Sequence, residues 1–255
     1  MNNFIVTIEA RLGSKRLPGK VLFPFGNMKA LELLIYRIKK SKFIKKIIVA
    51  TTNQKSDDEL VFFLKKKKIN FFRGSESNVL ERLYQATKNY KENTIIQLTA
   101  DNPLIDHRVI DYACKFYIKN SNRYDFITTS NIWQKEKEIF PLGMNVSIFK
   151  KLQFKKLLDL ATNKAQFEHP TLTFYREGKA LFNSFCLAPK KKWQKKYLPR
   201  LTLDTFEDYL FLINMYYGLG LKKNVPLTEI LTYLEKNKNL MYINKTITQK
   251  SAKSL

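Results

Sequence analysis

The segment FIVTIEARLGSKRLPGK, residues 4–20, joins a short apolar run to a loop that is rich in glycine and basic residues. The run 4–8 has the composition of a buried strand, and the loop begins directly after it. The next periodic segment, 30–40, carries apolar residues at helical spacing, namely Leu31, Leu34, Ile35 and Ile38. A strand, a loop and a helix in this order predict the first unit of an α/β protein.

The alternation of strand-like and helix-like segments continues through the first half of the chain. Strands are predicted at 46–50, 69–72, 94–98 and 125–128. Helices are predicted at 57–65, 79–89 and 106–118. This pattern favours a three-layer α/β sandwich, in which helices cover both faces of a mainly parallel sheet. Ligands of such sheets bind beyond the carboxyl ends of the strands, so we expect the loops 10–20, 73–78 and 100–106 to meet there.

The second half of the chain is less regular, and no proline- or serine-rich linker separates it from the first half. Further strands are predicted at 143–149, 181–186 and 201–203. Further helices are predicted at 152–160, 166–176, 206–217 and 227–236. The sequence therefore indicates a single domain over residues 1–240 and a polar C-terminal tail over 241–255, which we expect to fray from residue 244 onward.

The composition limits the classes of protein to which the chain can belong. It has 46 lysines and arginines against 22 aspartates and glutamates, a formal charge of +24. This charge fits either a nucleic-acid-binding surface or a well-solvated lysine-rich surface, and we favour the second because the lysine runs are not interleaved with aromatic residues. Two cysteines are too few for a disulfide framework or a zinc site. Because no apolar stretch is long enough to span a bilayer and no basic leader is present, we expect a cytoplasmic protein.

The loop after the first strand has the chemistry of a phosphate-binding loop. Gly13 and Gly19 allow the backbone to turn and to come close to a ligand. Arg11, Arg16 and Lys20 place cations on the same loop, which suits the charge of a triphosphate. The glycine spacing of a Walker loop and that of a dinucleotide-binding fingerprint are both missing. The alternative is a basic surface loop without a ligand.

Segments along nearly the whole chain resemble, in order, the motifs of the CMP-sugar synthetases. They are EARLGSKRLPGK (9–20), VATT (49–52), FRGSESNVLERL (72–83), TADNPLID (99–106), FEHPT (167–171) and LTLDTFEDY (201–209). This family includes 3-deoxy-manno-octulosonate cytidylyltransferase and acylneuraminate cytidylyltransferase. The resemblance is greatest to the branch named after SpsF, a protein of spore-coat polysaccharide biosynthesis. It implies a fold of the nucleotide-diphospho-sugar transferase type, an α/β sheet like the one predicted above.

The resemblance also implies roles for individual residues. Those expected to bind the nucleotide phosphates are Ala10, Arg11, Gly13, Ser14, Arg16 and Lys20, of which Arg11, Arg16 and Lys20 are the catalytic cations. Those expected around the base and ribose are Arg73, Gly74, Ser75 and Asn78. Asp101 corresponds to a carboxylate that binds the nucleotide and Mg²⁺, and Asp204 corresponds to a second metal ligand. A pair of aspartates suits Mg²⁺, because this ion prefers one or two protein carboxylates completed by phosphate and water.

Some of these assignments have alternatives. Asp204 also stands where a helix N-cap is expected, with Glu207 at the capping-box position. His169 lies near the sugar pocket in relatives, but a partly buried structural histidine fits equally well, because the chemistry needs no histidine base. Asn145 is expected to contact the sugar as well. It stands, like Leu142, where relatives carry an acidic residue, so the identity of the sugar is open.

The expected function is the activation of a sugar by CTP, with Mg²⁺ as cofactor and a CMP-sugar and pyrophosphate as products. The resemblance favours an acidic sugar, such as an ulosonic acid, for surface polysaccharide or glycan biosynthesis. We expect no specific nucleic-acid partner and no membrane partner, and the resemblance allows a homodimer. Two alternatives remain: a sugar-1-phosphate nucleotidyltransferase that uses another nucleoside triphosphate, and a non-catalytic, basic nucleic-acid-binding protein.

Overall fold

The structure of the chain is a computed structural model that describes residues 4–130, 139–176 and 178–249. The strands of the described chain are β1 (Phe4–Glu9), β2 (Pro24–Phe25), β3 (Met28–Lys29), β4 (Ile44–Thr52), β5 (Phe71–Gly74), β6 (Thr94–Thr99), β7 (Phe126–Thr128), β8 (Ser147–Lys150) and β9 (Ser184–Cys186). β2 and β3 form a small separate hairpin, which the sequence did not reveal. The other strands form one seven-stranded sheet in the order β5-β4-β1-β6-β8-β7-β9.

Helices cover both faces of this sheet. They are α1 (Ala30–Ile38), α2 (Asp58–Lys66), α3 (Val79–Thr87), α4 (His107–Asn120), α5 (Gln153–Leu160), α6 (Lys164–Glu168), α7 (Phe206–Gly218) and α8 (Leu227–Lys236). Side chains of β1 alternate between the two layers of the core: Val6 and Ile8 belong to one cluster, and Ile5 belongs to the other. The three-layer α/β sandwich is therefore confirmed. Among the described helices, none is long and apolar enough to cross a membrane.

The direction of the strands places three loops at one edge of the sheet. β5, β4, β1 and β6 run parallel, whereas β8 is antiparallel to its neighbours β6 and β7. Arg11 Nη1, from the loop after β1, lies 3.4 Å from Glu76 Oε1, from the loop after β5. Lys20 Nζ lies 3.4 Å from Asp101 Oδ2, from the loop after β6. The expected meeting of these three loops is confirmed.

The predicted helix 166–176 is wrong. α6 ends at Glu168, and only a short 3-10 helix follows, at Leu172–Phe174. The cause is Pro170, which has no amide hydrogen for a helical bond and disfavours helical geometry in the preceding residue. As a result, the helix ends at Glu168, and His169 has a non-helical backbone with φ of −121° and ψ of 85°.

The predicted strand 201–203 is also wrong. This segment has apolar side chains, but its backbone pairs with loops rather than with the sheet. Leu201 N donates to Leu142 O over 2.8 Å, and Leu203 N donates to Asp101 O over 2.7 Å. The segment therefore runs across the edge of the sheet and carries Asp204 to the loop that contains Asp101.

The C-terminal segment does not fray at residue 244. Asn244 is 4% exposed, and its side chain donates hydrogen bonds to Arg200 O and Asp208 Oδ1 over 3.2 Å and 2.9 Å. The fraying predicted for 250–255 lies outside the described residues. The prediction of fraying from local composition failed because the hydrogen-bond partners of Asn244, which are Arg200 and Asp208, lie far from it in the sequence.

Candidate active site

The loop after β1 is folded back on itself around Leu12. The Leu12 carbonyl accepts hydrogen bonds from Ser14 N and Gly19 N over 2.8 Å and 2.9 Å. Gly19 adopts a left-handed conformation with φ of 72°, which favours glycine. The two glycine-containing ends of the loop are thus brought together, and the segment between them projects from the edge of the sheet.

Asp57 anchors this loop, and sequence reasoning missed it. Its buried carboxylate accepts hydrogen bonds from Leu12 N over 2.7 Å and from Thr51 Oγ1 over 3.1 Å. It also accepts from the backbone and side chain of Thr52. Asp57 therefore ties the loop after β1 to the end of β4. The only local signal is its place directly before α2, which suggests a cap rather than a partner far away in the sequence.

Lys20 lies between the two aspartates that the resemblance assigns to the metal. Its Nζ atom is 2.8 Å from Asp204 Oδ1 and 3.4 Å from Asp101 Oδ2. Arg16 Nη2 is 3.0 Å from the same Asp204 oxygen. We call Arg16, Lys20, Asp101 and Asp204 the nucleotide wall. Four of the residues that the sequence predicted for phosphate and metal binding are thereby brought into one cluster, whereas Arg11 pairs with Glu76 and Glu168 instead.

The charges of the nucleotide wall stabilise one another. Burial lowers the pKa of Lys20, but the neighbouring Asp101 and Asp204 carboxylates outweigh it and hold the pKa above its ordinary value. Burial raises the pKa of Asp204, but Lys20, Arg16 and Arg200 outweigh it and hold the pKa below its ordinary value. Both groups are therefore charged at neutral pH.

Asp204 is not the N-cap of α7. The N-cap is Thr205, whose hydroxyl accepts from Asp208 N, and Asp208 rather than Glu207 completes the capping box. Because a neighbour does the capping, the Asp204 carboxylate is free to face Lys20. Its second oxygen, Oδ2, accepts from Arg200 Nη2 over 2.8 Å. Arg200 is a further residue of the site that no sequence pattern indicated.

The carboxylates of the nucleotide wall fit the donor set that Mg²⁺ prefers. Asp101 Oδ2 and Asp204 Oδ1 converge on the same cationic atom, Lys20 Nζ. In the part of the chain that the structure describes, no group of three or more His, Cys, Asp or Glu side chains could hold a metal ion. Two carboxylates suffice for Mg²⁺ when nucleotide phosphates and water complete its coordination shell.

The loop after β5 forms the N-terminal cap of α3. The Asn78 side chain caps α3 by accepting from Glu81 N, and Ser75 Oγ accepts from Asn78 N over 3.0 Å. Gly74 has no room for a side chain, since an added Cβ would lie 2.9 Å from the ring of Phe72. Base and ribose contacts for Gly74, Ser75 and Asn78 stay predictions.

Arg73 is occupied by contacts with β4 and α2. Its guanidinium donates to Thr52 O over 2.9 Å and to Gln54 O over 2.8 Å, and it forms an ion pair with Asp58 at 2.7 Å. In this arrangement Arg73 fixes the turn between β4 and α2. Its predicted contact with the nucleotide would require it to exchange some of these partners.

Asn145 and His169 are the two residues that the sequence predicted to contact the sugar, a role that stays a prediction, and we call these two residues the acceptor wall. His169 caps the C-terminal end of α6, and its Nε2 atom is buried without a hydrogen-bond partner among the described residues. Burial lowers the pKa of His169, so the ring is neutral at pH 7. Asn145 is partly buried and precedes β8.

Arg11 connects the loop after β5 with the end of α6. One terminal nitrogen lies 3.4 Å from Glu76, and the other lies 3.9 Å from Glu168, the residue before His169. Ala10, directly before it, is buried and donates its amide hydrogen to Ala50 O over 3.2 Å. The Ala10 side chain therefore fills the core, and only its backbone faces the loop.

Glu9 is a buried acid at the end of β1, for which sequence reasoning gave no role. Its Oε1 atom accepts a hydrogen bond from Gln97 Nε2 on the neighbouring strand β6. Burial raises the pKa of Glu9 from 4.5 to about 7, although Arg82 opposes the shift. Gln97 Oε1 is buried without a partner among the described residues. The charges of Asp101 and Arg11 also act on the pKa of Glu9, so this polar pair lies close to the candidate site.

Comparisons with known proteins show which family the chain resembles. Residues 5–247 match a family model described as cytidylyltransferase. The structure is similar to that of a cytidylyltransferase from Leptospira borgpetersenii, with a TM-score of 0.83 and 31% identity over 97% of this chain and 98% of that chain. The spore coat polysaccharide biosynthesis protein SpsF of Bacillus subtilis is 31% identical, over 93% of this chain and 96% of SpsF. An uncharacterized protein of Methanocaldococcus jannaschii is 37% identical, over 96% and 95% of the two chains.

Proposed function

The chain belongs to the cytidylyltransferase family, and from this premise we propose that it transfers the cytidylyl group of CTP to a sugar. The products are a CMP-sugar and pyrophosphate. The observation that carries the proposal is the nucleotide wall, in which Lys20 and Arg16 converge on Asp204 at the carboxyl edge of a parallel sheet. Membership of a family of nucleotidyltransferases excludes the alternative of a non-catalytic nucleic-acid-binding protein.

In the proposed reaction, a hydroxyl oxygen of the sugar bonds to the α-phosphorus of CTP. The bond from that phosphorus to the β-phosphate oxygen breaks, pyrophosphate leaves with the electron pair, and the hydroxyl proton is released to water. Negative charge increases on the α-phosphoryl oxygens and on the pyrophosphate. Arg11, Arg16 and Lys20 offset this charge, so catalysis relies on positioning and electrostatics.

The cations of the loop are held in place before the nucleotide arrives. Asp204 Oδ1 contacts both Lys20 Nζ and Arg16 Nη2, so these two cationic groups are held in position before a phosphate binds. Mg²⁺ bound by Asp101 and Asp204 would neutralise phosphate charge and orient the α-phosphate. With both carboxylates available to Mg²⁺, Lys20 Nζ would be free to contact a phosphate of the nucleotide.

For the acceptor we propose an acidic sugar such as an ulosonic acid, contacted by Asn145 and His169. The name of the SpsF relative supports a product destined for surface polysaccharide. We place the reaction in the cytoplasm, where CTP is made, and we keep a homodimer as a prediction. The single-domain organisation over residues 1–240 is likewise a proposal.

The test is an assay of pyrophosphate release in which each of four nucleoside triphosphates is combined with a panel of ulosonic acids, neutral sugars and sugar 1-phosphates. We expect release with CTP and an ulosonic acid, with Mg²⁺ required. Release with another triphosphate and a sugar 1-phosphate would support the second candidate instead. Product identity is read by mass spectrometry, which distinguishes a CMP-sugar from a nucleoside diphosphate sugar.

A further inference from the structure

The C-terminal segment 244–249 is attached to the candidate active site through Arg200. Asn244 Nδ2 donates to Arg200 O and to Asp208 Oδ1 over 3.2 Å and 2.9 Å. Gln249 Oε1 accepts from Arg200 Nη1 over 2.6 Å. The segment that the sequence predicts to fray thus contacts Arg200, the residue that donates a hydrogen bond to Asp204.

The Arg200 guanidinium donates hydrogen bonds to three different side chains. Nη2 donates to Asp204 Oδ2 over 2.8 Å, Nε donates to Asp208 Oδ1 over 2.9 Å, and Nη1 donates to Gln249. Its side chain is only 11% exposed, so its contacts with Asp204 and Asp208 are shielded from solvent, whereas its contact with Gln249 lies at the exposed surface. A lysine in this position could not span the carboxylates, because its ammonium is a single point charge rather than a planar fork.

The contact with Arg200 fixes which oxygen of Asp204 faces the loop. Because Oδ2 is held by Arg200, Oδ1 is the oxygen that contacts Lys20 and Arg16. Asp208 completes the arrangement, since its Oδ2 atom accepts from Asp204 N over 3.0 Å. Loss of Arg200 would leave two buried carboxylates close together without the cation between them, which is unfavourable.

We propose that the segment 244–249 is a positioning element of the active site, coupled to nucleotide binding through Arg200 and Asp204. The inference rests on the proposed function, because it uses CTP as the ligand of the nucleotide wall. Coupling between two sites is reciprocal: if the docked segment favours CTP binding, CTP must favour the docked segment. The coupling can therefore be measured at the tail, without knowledge of the sugar.

The experiment is limited trypsin digestion of the full chain with and without CTP and Mg²⁺. The reporter is cleavage after Lys245, an exposed residue inside the segment, followed by mass spectrometry. The internal control is cleavage after Lys68, an exposed residue in the turn after α2. We expect CTP and Mg²⁺ to slow cleavage after Lys245 about fivefold or more and to change cleavage after Lys68 less than about twofold.

Two variants separate positioning from general destabilisation. Arg200→Lys keeps the charge, and we expect it to reduce the protection of Lys245 by CTP to less than about twofold. Asn244→Ala leaves Arg200 intact, and we expect it to weaken the affinity for CTP and Mg²⁺ several-fold. Asn237→Ala is the matched control, because within the described part of the chain the Asn237 side-chain amide donates only to the nearby Tyr233 carbonyl, and its CTP affinity should equal that of the wild type.

The outcomes distinguish this inference from the proposed function. Calorimetry first establishes CTP binding, and absence of binding would overturn the proposed function and this inference with it. Binding without protection of Lys245, or with equal protection of Lys245 and Lys68, would overturn the inference alone. Equal CTP affinities of Asn244→Ala and Asn237→Ala would also contradict it.

Discussion

The nucleotide wall and the acceptor wall differ in how completely their polar groups are paired. In the nucleotide wall, both oxygens of Asp204 have cationic partners, and Lys20 contacts two carboxylates. In the acceptor wall, His169 Nε2 is buried without a partner among the described residues. The first region is therefore preorganised by its own charges, whereas the second has hydrogen-bonding capacity that a ligand can satisfy.

This difference has a functional meaning. A preorganised cluster of charges suits a ligand of constant chemistry such as a triphosphate, because catalysis by electrostatics requires fixed groups. A wall with unpaired polar atoms suits recognition, because a site that leaves polar groups unpaired discriminates against ligands that cannot reach them. Changes in the two walls should therefore affect different kinetic constants.

The largest effect is expected for Lys20→Ala. This variant removes the cation shared by Asp101 and Asp204, and we expect turnover to fall by about 100-fold or more, with far-ultraviolet circular dichroism unchanged. Lys15→Ala is the matched control, since Lys15 is an exposed lysine of the same loop, and its turnover should stay within about twofold of the wild type. Turnover of Lys20→Ala close to that of the control would remove Lys20 from the mechanism.

A smaller effect is expected for Asp57→Asn. This variant acts on the nucleotide wall indirectly, through the hydrogen bond from Leu12 N that anchors the loop after β1. The substitution turns an acceptor of several hydrogen bonds into a group with a donor facing other donors, at a cost of about 1–3 kcal/mol in the free energy of unfolding. We expect the CTP affinity to fall by about tenfold as the Leu12 anchor loosens. The control is Asp58→Asn at an exposed neighbour, which should change stability by less than about 1 kcal/mol. Equal stabilities of the two variants would contradict the anchoring role.

His169→Ala tests the acceptor wall in the same way. Because no hydrogen bond or ion pair among the described residues joins His169 to the nucleotide wall, we expect the KM for the sugar to rise by about five- to tenfold with the KM for CTP unchanged. Steady-state kinetics with each substrate varied in turn gives both constants. A rise in the KM for CTP alone would show that the division into two walls is wrong.

The smallest effect on the kinetic constants is expected for Glu9→Gln, which should change stability instead. The pKa of Glu9 is raised from 4.5 to about 7, so its contribution to stability is full below pH 4.5 and is lost as pH rises through 7. The glutamine variant avoids the burial of a charge, and at pH 8 it should be more stable than the wild type by about 1–3 kcal/mol. Urea unfolding at pH 5 and pH 8 measures the difference, which should shrink toward pH 5. A variant that is less stable at pH 8 would contradict the raised pKa.

The parts of the molecule that sequence predicted well are those with a local cause. The alternation of strands and helices follows from apolar periodicity, and it places the loops that carry Lys20 and Asp101 at one edge. A local cause does not guarantee a correct prediction: the helix predicted over 166–176 was wrong although Pro170 is a local signal for its end, because the apolar pattern outweighed that signal.

The parts that sequence did not predict depend on partners far apart in the chain. Asp57 bonds to Leu12, and Asn244 bonds to Arg200 and Asp208, over separations that no local pattern encodes. The predicted strand 201–203 failed for the same reason, since its backbone partners are loop residues and not a neighbouring strand. Buried polar contacts of this kind are set by tertiary packing, which sequence periodicity does not describe.

The central claim, that the nucleotide wall binds CTP, is tested most directly by calorimetric titration of the protein with each nucleoside triphosphate in the presence of Mg²⁺. We predict that CTP binds at least about tenfold more tightly than ATP, GTP or UTP, a difference of about 1.4 kcal/mol. We also predict that Asp101→Asn removes the dependence of this affinity on Mg²⁺. Tighter binding of another triphosphate, or binding of CTP that is indifferent to Asp101, would contradict the account.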